Sequence, residues 1–208
     1  MTGDPIVIVV DDDPSVRSSL KLLVSTVGLR VESFESAESF LNRKPPNTAS
    51  CLVLDVRLNG LSGLDCQGEL AARNIRIPIV FITGHGDIPM CVRAMKSGAV
   101  EFLTKPFRDQ DLLDAIRIGL ERDRARREKE EEVAVLEQRF ESLTRREQEV
   151  ISMVASGMLN KQIAGQLGTA KNTVKVHRAR AMDKMHAQSI ADLVRMIEKR
   201  KGPLQRAA

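Results

Sequence analysis

The stretch "IVIVVDDDPSVR", residues 6–17, joins a buried strand to a cluster of charge. Five consecutive β-branched apolar residues suit a strand covered on both faces. They run straight into Asp11, Asp12 and Asp13, and then Pro14. Three adjacent carboxylates repel one another, so placing them at the end of a buried strand demands a counter-charge. Asp13 followed by Pro14 fits a helix N-cap and first helical position. That local reading leaves Asp11 and Asp12 unexplained.

The same pattern recurs through the first 120 residues. Short Val- and Ile-rich runs stand at "VESF" (31–34), "CLVLD" (51–55), "IPIVFIT" (77–83) and "VEFL" (100–103). Between them lie segments of helical spacing, such as Val16, Leu20, Leu23 and Val27, or Leu112, Leu113, Ile116 and Leu120. Strand and helix alternating five times predict a parallel, doubly wound α/β sheet with right-handed crossovers. In such sheets ligands bind beyond the carboxyl ends of the strands.

Charge divides the 208 residues unevenly. Residues 1–120 carry net −2, residues 121–142 net −2 and residues 143–208 net +8, for +4 in total. A basic third on an otherwise acidic chain points to a nucleic-acid-binding module. Aromatic content is 3%, with no Trp or Tyr, which argues against sugar clamps and base-stacking platforms. No apolar run reaches the ~18 residues that span a bilayer, and no basic segment precedes the first apolar run as in a signal peptide. A cytoplasmic protein without membrane contact is expected. Cys51, Cys66 and Cys91 lack C-x-x-C spacing and read as reduced thiols.

Residues 121–142, "ERDRARREKEEEVAVLEQRFES", lack Gly and Pro and are densely charged. They read as a helical linker with a thin stripe of Val133, Leu136 and Phe140. Residues 143–208 then read as a four-helix domain. "LTRREQEVISMVASG" opens with a capping box, Thr144 and Glu147, and stops at Gly157. "NKQIAGQLG", "TAKNTVKVHRARAMDKMH" and "SIADLVRMIEK" supply the other helices, the last with Ser189 as N-cap. A short helix, a turn with Gly and a basic helix form the helix-turn-helix pattern.

The strand ends concentrate chemistry. Asp11 and Asp12 follow the first strand, Asp55 closes the third, Thr83 the fourth, and Lys105 follows the fifth. Oxygen ligands without His or Cys favour a hard cation, and Mg²⁺ is the expected ion. A cation, an ammonium and a hydroxyl around one carboxylate suit the stabilisation of phosphoryl oxygens.

Taken in order, "VVDDD", "LVLDVRLNGLSG", "FITGHGD" and "EFLTKPF" resemble the flavodoxin-like receiver domain of two-component response regulators over about residues 5–120. The resemblance implies that Asp55 is the phosphoacceptor, served by a sensor histidine kinase. It implies Mg²⁺, replaceable by Mn²⁺, bound directly by Asp12 and Asp55, with Asp11 acting through water and the Arg57 backbone carbonyl completing the protein ligands. Lys105 would contact the phosphoryl group, and Thr83 with Phe102 would form the switch. A cis Lys105-Pro106 peptide belongs to the same resemblance. Asn59 stands where that family has proline, which would loosen the loop after Asp55. The chain would be a phosphoacceptor rather than a conventional enzyme, taking its own phosphoryl group and losing it slowly.

Two other classes fit less well. An aspartyl-phosphate hydrolase places an Asp two residues after the nucleophile, where Arg57 stands here. A phosphorylation-independent DNA binder would not need the complete set of Asp11, Asp12, Asp55, Thr83 and Lys105. His85, in the Gly-flanked "TGHGD" loop, has no second His or Cys nearby in sequence and reads as a loop residue.

"LTRREQEV", "NKQIAGQLG" and "KNTVKVHRARAMDKM" resemble the LuxR/FixJ-type (GerE-like) helix-turn-helix over about residues 139–200, with Ala181 standing where that family has a larger aliphatic. At 100° per residue Val174, His177, Ala181 and Met185 share one face and would meet the core, His177 as a satisfied, half-buried side chain. Asn172, Lys175, Val176 and Ala179 lie opposite and would enter the major groove of double-stranded promoter DNA. Lys171, Thr173, Arg178, Arg180 and Lys184 would touch phosphates. The resemblances together imply a homodimer formed on phosphorylation, RNA polymerase as a partner, and activation of a target operon.

Overall fold

A computed structural model describes residues 3–201. The chain divides into two compact units, residues 1–127 and 128–208. The boundary falls inside the segment that the sequence assigns to the linker.

The first unit is built on β1 (Ile6–Val10), β2 (Arg30–Phe34), β3 (Ser50–Asp55), β4 (Ile79–Thr83) and β5 (Glu101–Thr104). All neighbours pair in parallel, in the order β2-β1-β3-β4-β5. Helices α1 (Pro14–Thr26), α2 (Ala37–Leu41), α3 (Gly63–Ala72), α4 (Ile88–Lys96) and α5 (Asp109–Glu141) form the connections and the exit. The strand period of two sorts the central residues onto two faces. Val7, Val9, Cys51, Val53, Val80 and Ile82 pack with Leu20, Val24, Leu112 and Ile116. Ile8, Val10, Leu52, Leu54, Ile79 and Phe81 pack with Phe40, Cys66, Leu70 and Ala94. Burial on both faces is why β1, β3 and β4 read as unbroken apolar runs.

Most expected strands shift by a residue. β4 begins at Ile79 rather than Ile77 because Pro78 has no N–H for the ladder; its carbonyl still accepts from Leu52 N at 2.9 Å. Asp13 caps α1, accepting from Ser15 N at 2.7 Å and Val16 N at 3.4 Å. The Lys105-Pro106 peptide is cis.

The first turns of the 121–142 segment belong to the first unit. Asp123 is fully buried, accepts from Ser50 N at 2.9 Å, and pairs with Arg126 and Arg127. Arg127 also donates to the Pro46 carbonyl at 3.0 Å. This anchors α5 to the start of β3.

In the second unit the end of α5 is followed by α6 (Arg145–Ala155), α7 (Asn160–Gln166), α8 (Lys171–Met185) and α9 (Ile190–Lys201). Their core contains Leu143, Val150, Ile151, Ile163, Val174, Ala181, Met185 and Leu193. Gly157 (φ +85) and Gly168 (φ +59) end α6 and α7 in the left-handed region, where a Cβ is disfavoured. Thr144 and Glu147 form the expected capping box, and Ser189 caps α9 through Asp192 N at 3.1 Å. Arg200 lies 3.8 Å over the Phe140 ring and donates to Glu137 at 2.8 and 3.0 Å, fixing α9 to the end of α5. No helix among the described residues is long and apolar enough to cross a membrane.

Candidate functional site

The strand order reverses between β1 and β3, and the first site lies at that switch point. The pairing Val10↔Leu54 brings Asp11 beside Asp55 at the carboxyl ends. Lys105, after β5, reaches across to both: its Nζ lies 2.7 Å from Asp11 Oδ2 and 2.8 Å from Asp55 Oδ2. Each carboxylate also accepts a backbone N–H two residues on, Asp13 N to Asp11 Oδ1 and Arg57 N to Asp55 Oδ1, both at 2.9 Å.

The two charges answer burial differently. Burial pushes the Asp11 carboxyl above its ordinary range, against the Lys105 and Asp13 hydrogen bonds that favour its ionised form. Burial pulls the Lys105 ammonium down, but its bonds to Asp11 and Asp55 outweigh this and hold it above the usual lysine value. The pair therefore keeps a charged ammonium in the pocket.

Oxygens of Asp11, Asp12 and Asp55 all lie within 4.8 Å of one another. Among the described residues this is the cluster suited to a metal ion, and its ligands are carboxylates alone. That donor set fits Mg²⁺ or Mn²⁺ and does not favour a soft metal. Arg57 presents its backbone to the site, while its side chain is exposed.

Thr83 is buried at the end of β4, and its hydroxyl accepts from His85 N at 3.3 Å. The Phe102 ring is partly buried, 6.2 Å from the Phe81 ring. Sequence reasoning missed the residue between them. A Cβ on Gly86 would fall 2.9 Å from Phe102 Cε1 and 3.0 Å from Thr83 Cγ2. The glycine of "TGHGD" thus lets the β4–α4 loop close over both side chains, and its spacing from Thr83 was the available signal. His85 is exposed in that loop.

Two further residues bind the loop after Asp55. Asn59 donates its side-chain amide to Asp12 Oδ2 at 2.7 Å. Glu38, from α2, accepts from Leu61 N at 2.9 Å. The loosening expected from the loss of proline is opposed by these restraints. Gly63 is obligatory here, because a Cβ would lie 2.2 Å from the Asp55 carbonyl oxygen.

The second site is the outer face of α8. Val174, Ala181 and Met185 are buried, while Lys171, Asn172, Thr173, Lys175, Val176, Ala179 and Arg180 are exposed. Arg178 is half-buried and donates to Asn160 Oδ1 at 3.3 Å. Two readings gain detail. Lys184 is exposed, and its Nζ lies 2.7 Å from the buried Glu147 carboxylate, a pairing that competes with a phosphate contact. His177 is half-buried as expected, but among the described residues its Nδ1 has no hydrogen-bond partner. It shares its face with Val174 and Ala181, which offer it no side-chain acceptor.

Comparison with known proteins identifies both domains. Residues 7–117 match the response regulator receiver domain family, and residues 141–197 match the luxR family of bacterial regulatory proteins. The chain is 60% identical to Nodulation protein W of Bradyrhizobium diazoefficiens over 193 residues, covering 93% of this chain and 85% of that protein. It is 42% identical to the transcriptional regulatory protein FixJ of Azorhizobium caulinodans, covering 90% and 89%. The solved structure of the response regulator StyR superposes with a TM-score of 0.86 at 53% identity, covering 95% of this chain and all of that one. The chain belongs to the two-component response regulators that join a receiver domain to a LuxR-type DNA-binding domain.

Proposed function

We propose that Asp55 is the phosphoacceptor and that its phosphorylation by a sensor histidine kinase controls promoter binding through α8. The observation that carries this reading is Lys105 Nζ, seated 2.7 and 2.8 Å from Asp11 and Asp55. An ammonium in that position can follow charge from a carboxylate to the phosphoryl group bound on it. Asp55 attacks phosphorus; the new P–O bond forms as the P–N bond to the kinase histidine breaks. The imidazole leaves with the bonding pair and takes up a proton. Asp11, Asp12, Asp55 and the Arg57 carbonyl would hold Mg²⁺ or Mn²⁺, which when bound neutralises charge on the phosphoryl oxygens. The same pocket, opened to water, accounts for slow loss of the group.

Phosphorylation converts a singly charged carboxylate into an acyl phosphate carrying about two negative charges, a net gain of about one. In this reading Thr83 turns its hydroxyl from His85 N toward the phosphoryl oxygens, and Phe102 follows into the space beside it. The altered α4–β5 surface favours a homodimer. Lys175, Asn172, Val176 and Ala179 then read base edges, and Lys171, Thr173, Arg178 and Arg180 contact phosphates. Activation with RNA polymerase at a target operon is the regulatory outcome we infer.

Incubation with acetyl phosphate and Mg²⁺, followed by intact-mass measurement, tests the chemistry. One phosphoryl group is expected on the wild type, and none on Asp55→Ala or without the cation. Added mass that persists in Asp55→Ala overturns the assignment.

A further inference from the structure

Three carboxylates meet in the acidic pocket, but they are not held alike. Asp11 and Asp55 are each fixed twice, by Lys105 Nζ and by a backbone N–H. Asp12 has neither restraint and is only half-buried. Among the described residues its hydrogen-bond partner is the Asn59 side-chain amide, at 2.7 Å. The loop delivering that amide is itself anchored. Leu61 N donates to Glu38 Oε1 at 2.9 Å, and Gly63 N to the Val56 carbonyl at 3.0 Å.

We propose that Asn59 is a positioning residue for the divalent cation, holding Asp12 so that the three carboxylates converge. This rests on reading Asp11, Asp12 and Asp55 as cation ligands. A carboxylate has two oxygens and about four lone-pair sites, so accepting from Asn59 leaves Asp12 able to ligate. Loss of such an outer partner typically weakens metal binding 10–100-fold. A neutral amide at an exposed position belongs at the lower end, about tenfold.

The test uses the full chain with Mn²⁺ as probe, counting free ion by electron paramagnetic resonance, and Mg²⁺ in competition. Wild type, Asn59→Ala, Asn59→Pro and Asp12→Asn are titrated, and each is melted without cation to check folding. The expected result is about tenfold weaker binding in Asn59→Ala at unchanged cation-free melting temperature. Asn59→Pro weakens similarly, because the ring stiffens the loop but donates no hydrogen bond. Wild-type affinity in Asn59→Ala overturns the proposal. So does wild-type affinity in Asn59→Pro with loss in Asn59→Ala, which assigns the effect to loop stiffness. Failure of the wild type to bind Mn²⁺, or full binding by Asp12→Asn, instead overturns the underlying reading of the pocket.

Discussion

Glu147 shows how much one side chain can carry in the DNA-binding unit. It is buried, closes the capping box at Thr144 N (2.9 Å), and pairs with Lys184 (2.7 Å). The Lys184 ammonium holds its carboxyl below the ordinary value of 4.5, against burial. A depressed folded-state pKa gives stabilisation that is complete above the unfolded value and is lost as pH falls through the folded one. The melting temperature of this unit should therefore fall as pH drops below about 4.5. In Glu147→Gln that acid dependence should flatten, with stability at neutral pH lowered by about 1 kcal/mol. Calorimetry from pH 3 to 7 checks both; an unchanged acid limb removes Glu147 as its cause. Asp123 makes the matching case in the receiver. Asp123→Ala strands the buried Ser50 N–H and leaves two arginines without their carboxylate. It should cost about 3 kcal/mol in urea unfolding. At this scale the sequence was uneven. Asp13-Pro14 announced its cap because the information is local. Asn59 was visible as a departure, but its bond to Asp12 spans 47 positions and depended on the β1–β3 register.

Elements were legible where one periodicity ruled. Unbroken apolar runs fixed β1 and β3, and helical spacing sorted α8 into a buried Val174, Ala181 and Met185 face and an exposed Lys175 face. What escaped at the end of α8 was the pairing of the exposed Lys184 with Glu147, which position along the helix does not announce. That distinction is measurable. Lys171→Ala should weaken promoter binding on all sequences and reduce the salt slope by about 1. Lys175→Ala should weaken binding to the specific operator most, by about 1–3 kcal/mol, with receiver phosphorylation unchanged. Lys184→Ala should lower the melting temperature of the unit and leave the salt slope as it was. A gel-shift titration across salt separates the three, and a reduced slope in Lys184→Ala would return that residue to the phosphate contacts. Charge along the chain marked residues 121–142 as distinct, but charge density did not reveal that Asp123 is interior. Its burial depends on Ser50, 73 positions away.

For the whole molecule the open quantity is the link between one phosphoryl group and DNA occupancy. α4 presents Ile88, Val92 and Met95 at 81%, 44% and 40% exposure, an i, i+4, i+7 apolar stripe. It begins just beyond the loop in which Gly86 packs over Thr83 and Phe102. A rearrangement of that pair on phosphorylation therefore acts on the loop that leads into this stripe. Covering the stripe with its copy in a second chain removes apolar area from water and makes the second DNA module's binding intramolecular. Such linkage raises avidity by about 10²–10⁴ without a new DNA contact. A double substitution, Val92→Asp with Met95→Asp, places two charges in the stripe and should leave Asp55 phosphorylation intact. The phosphorylated variant should sediment as a monomer, and the phosphorylated wild type as the proposed dimer. Its affinity for a two-half-site promoter should fall at least 100-fold toward that for a single half-site. Single-half-site affinity should not change, since α8 is untouched. A phosphorylated double variant that still dimerises would move the interface away from α4. One that stays monomeric yet binds both promoters like the wild type would show that phosphorylation acts within the monomer.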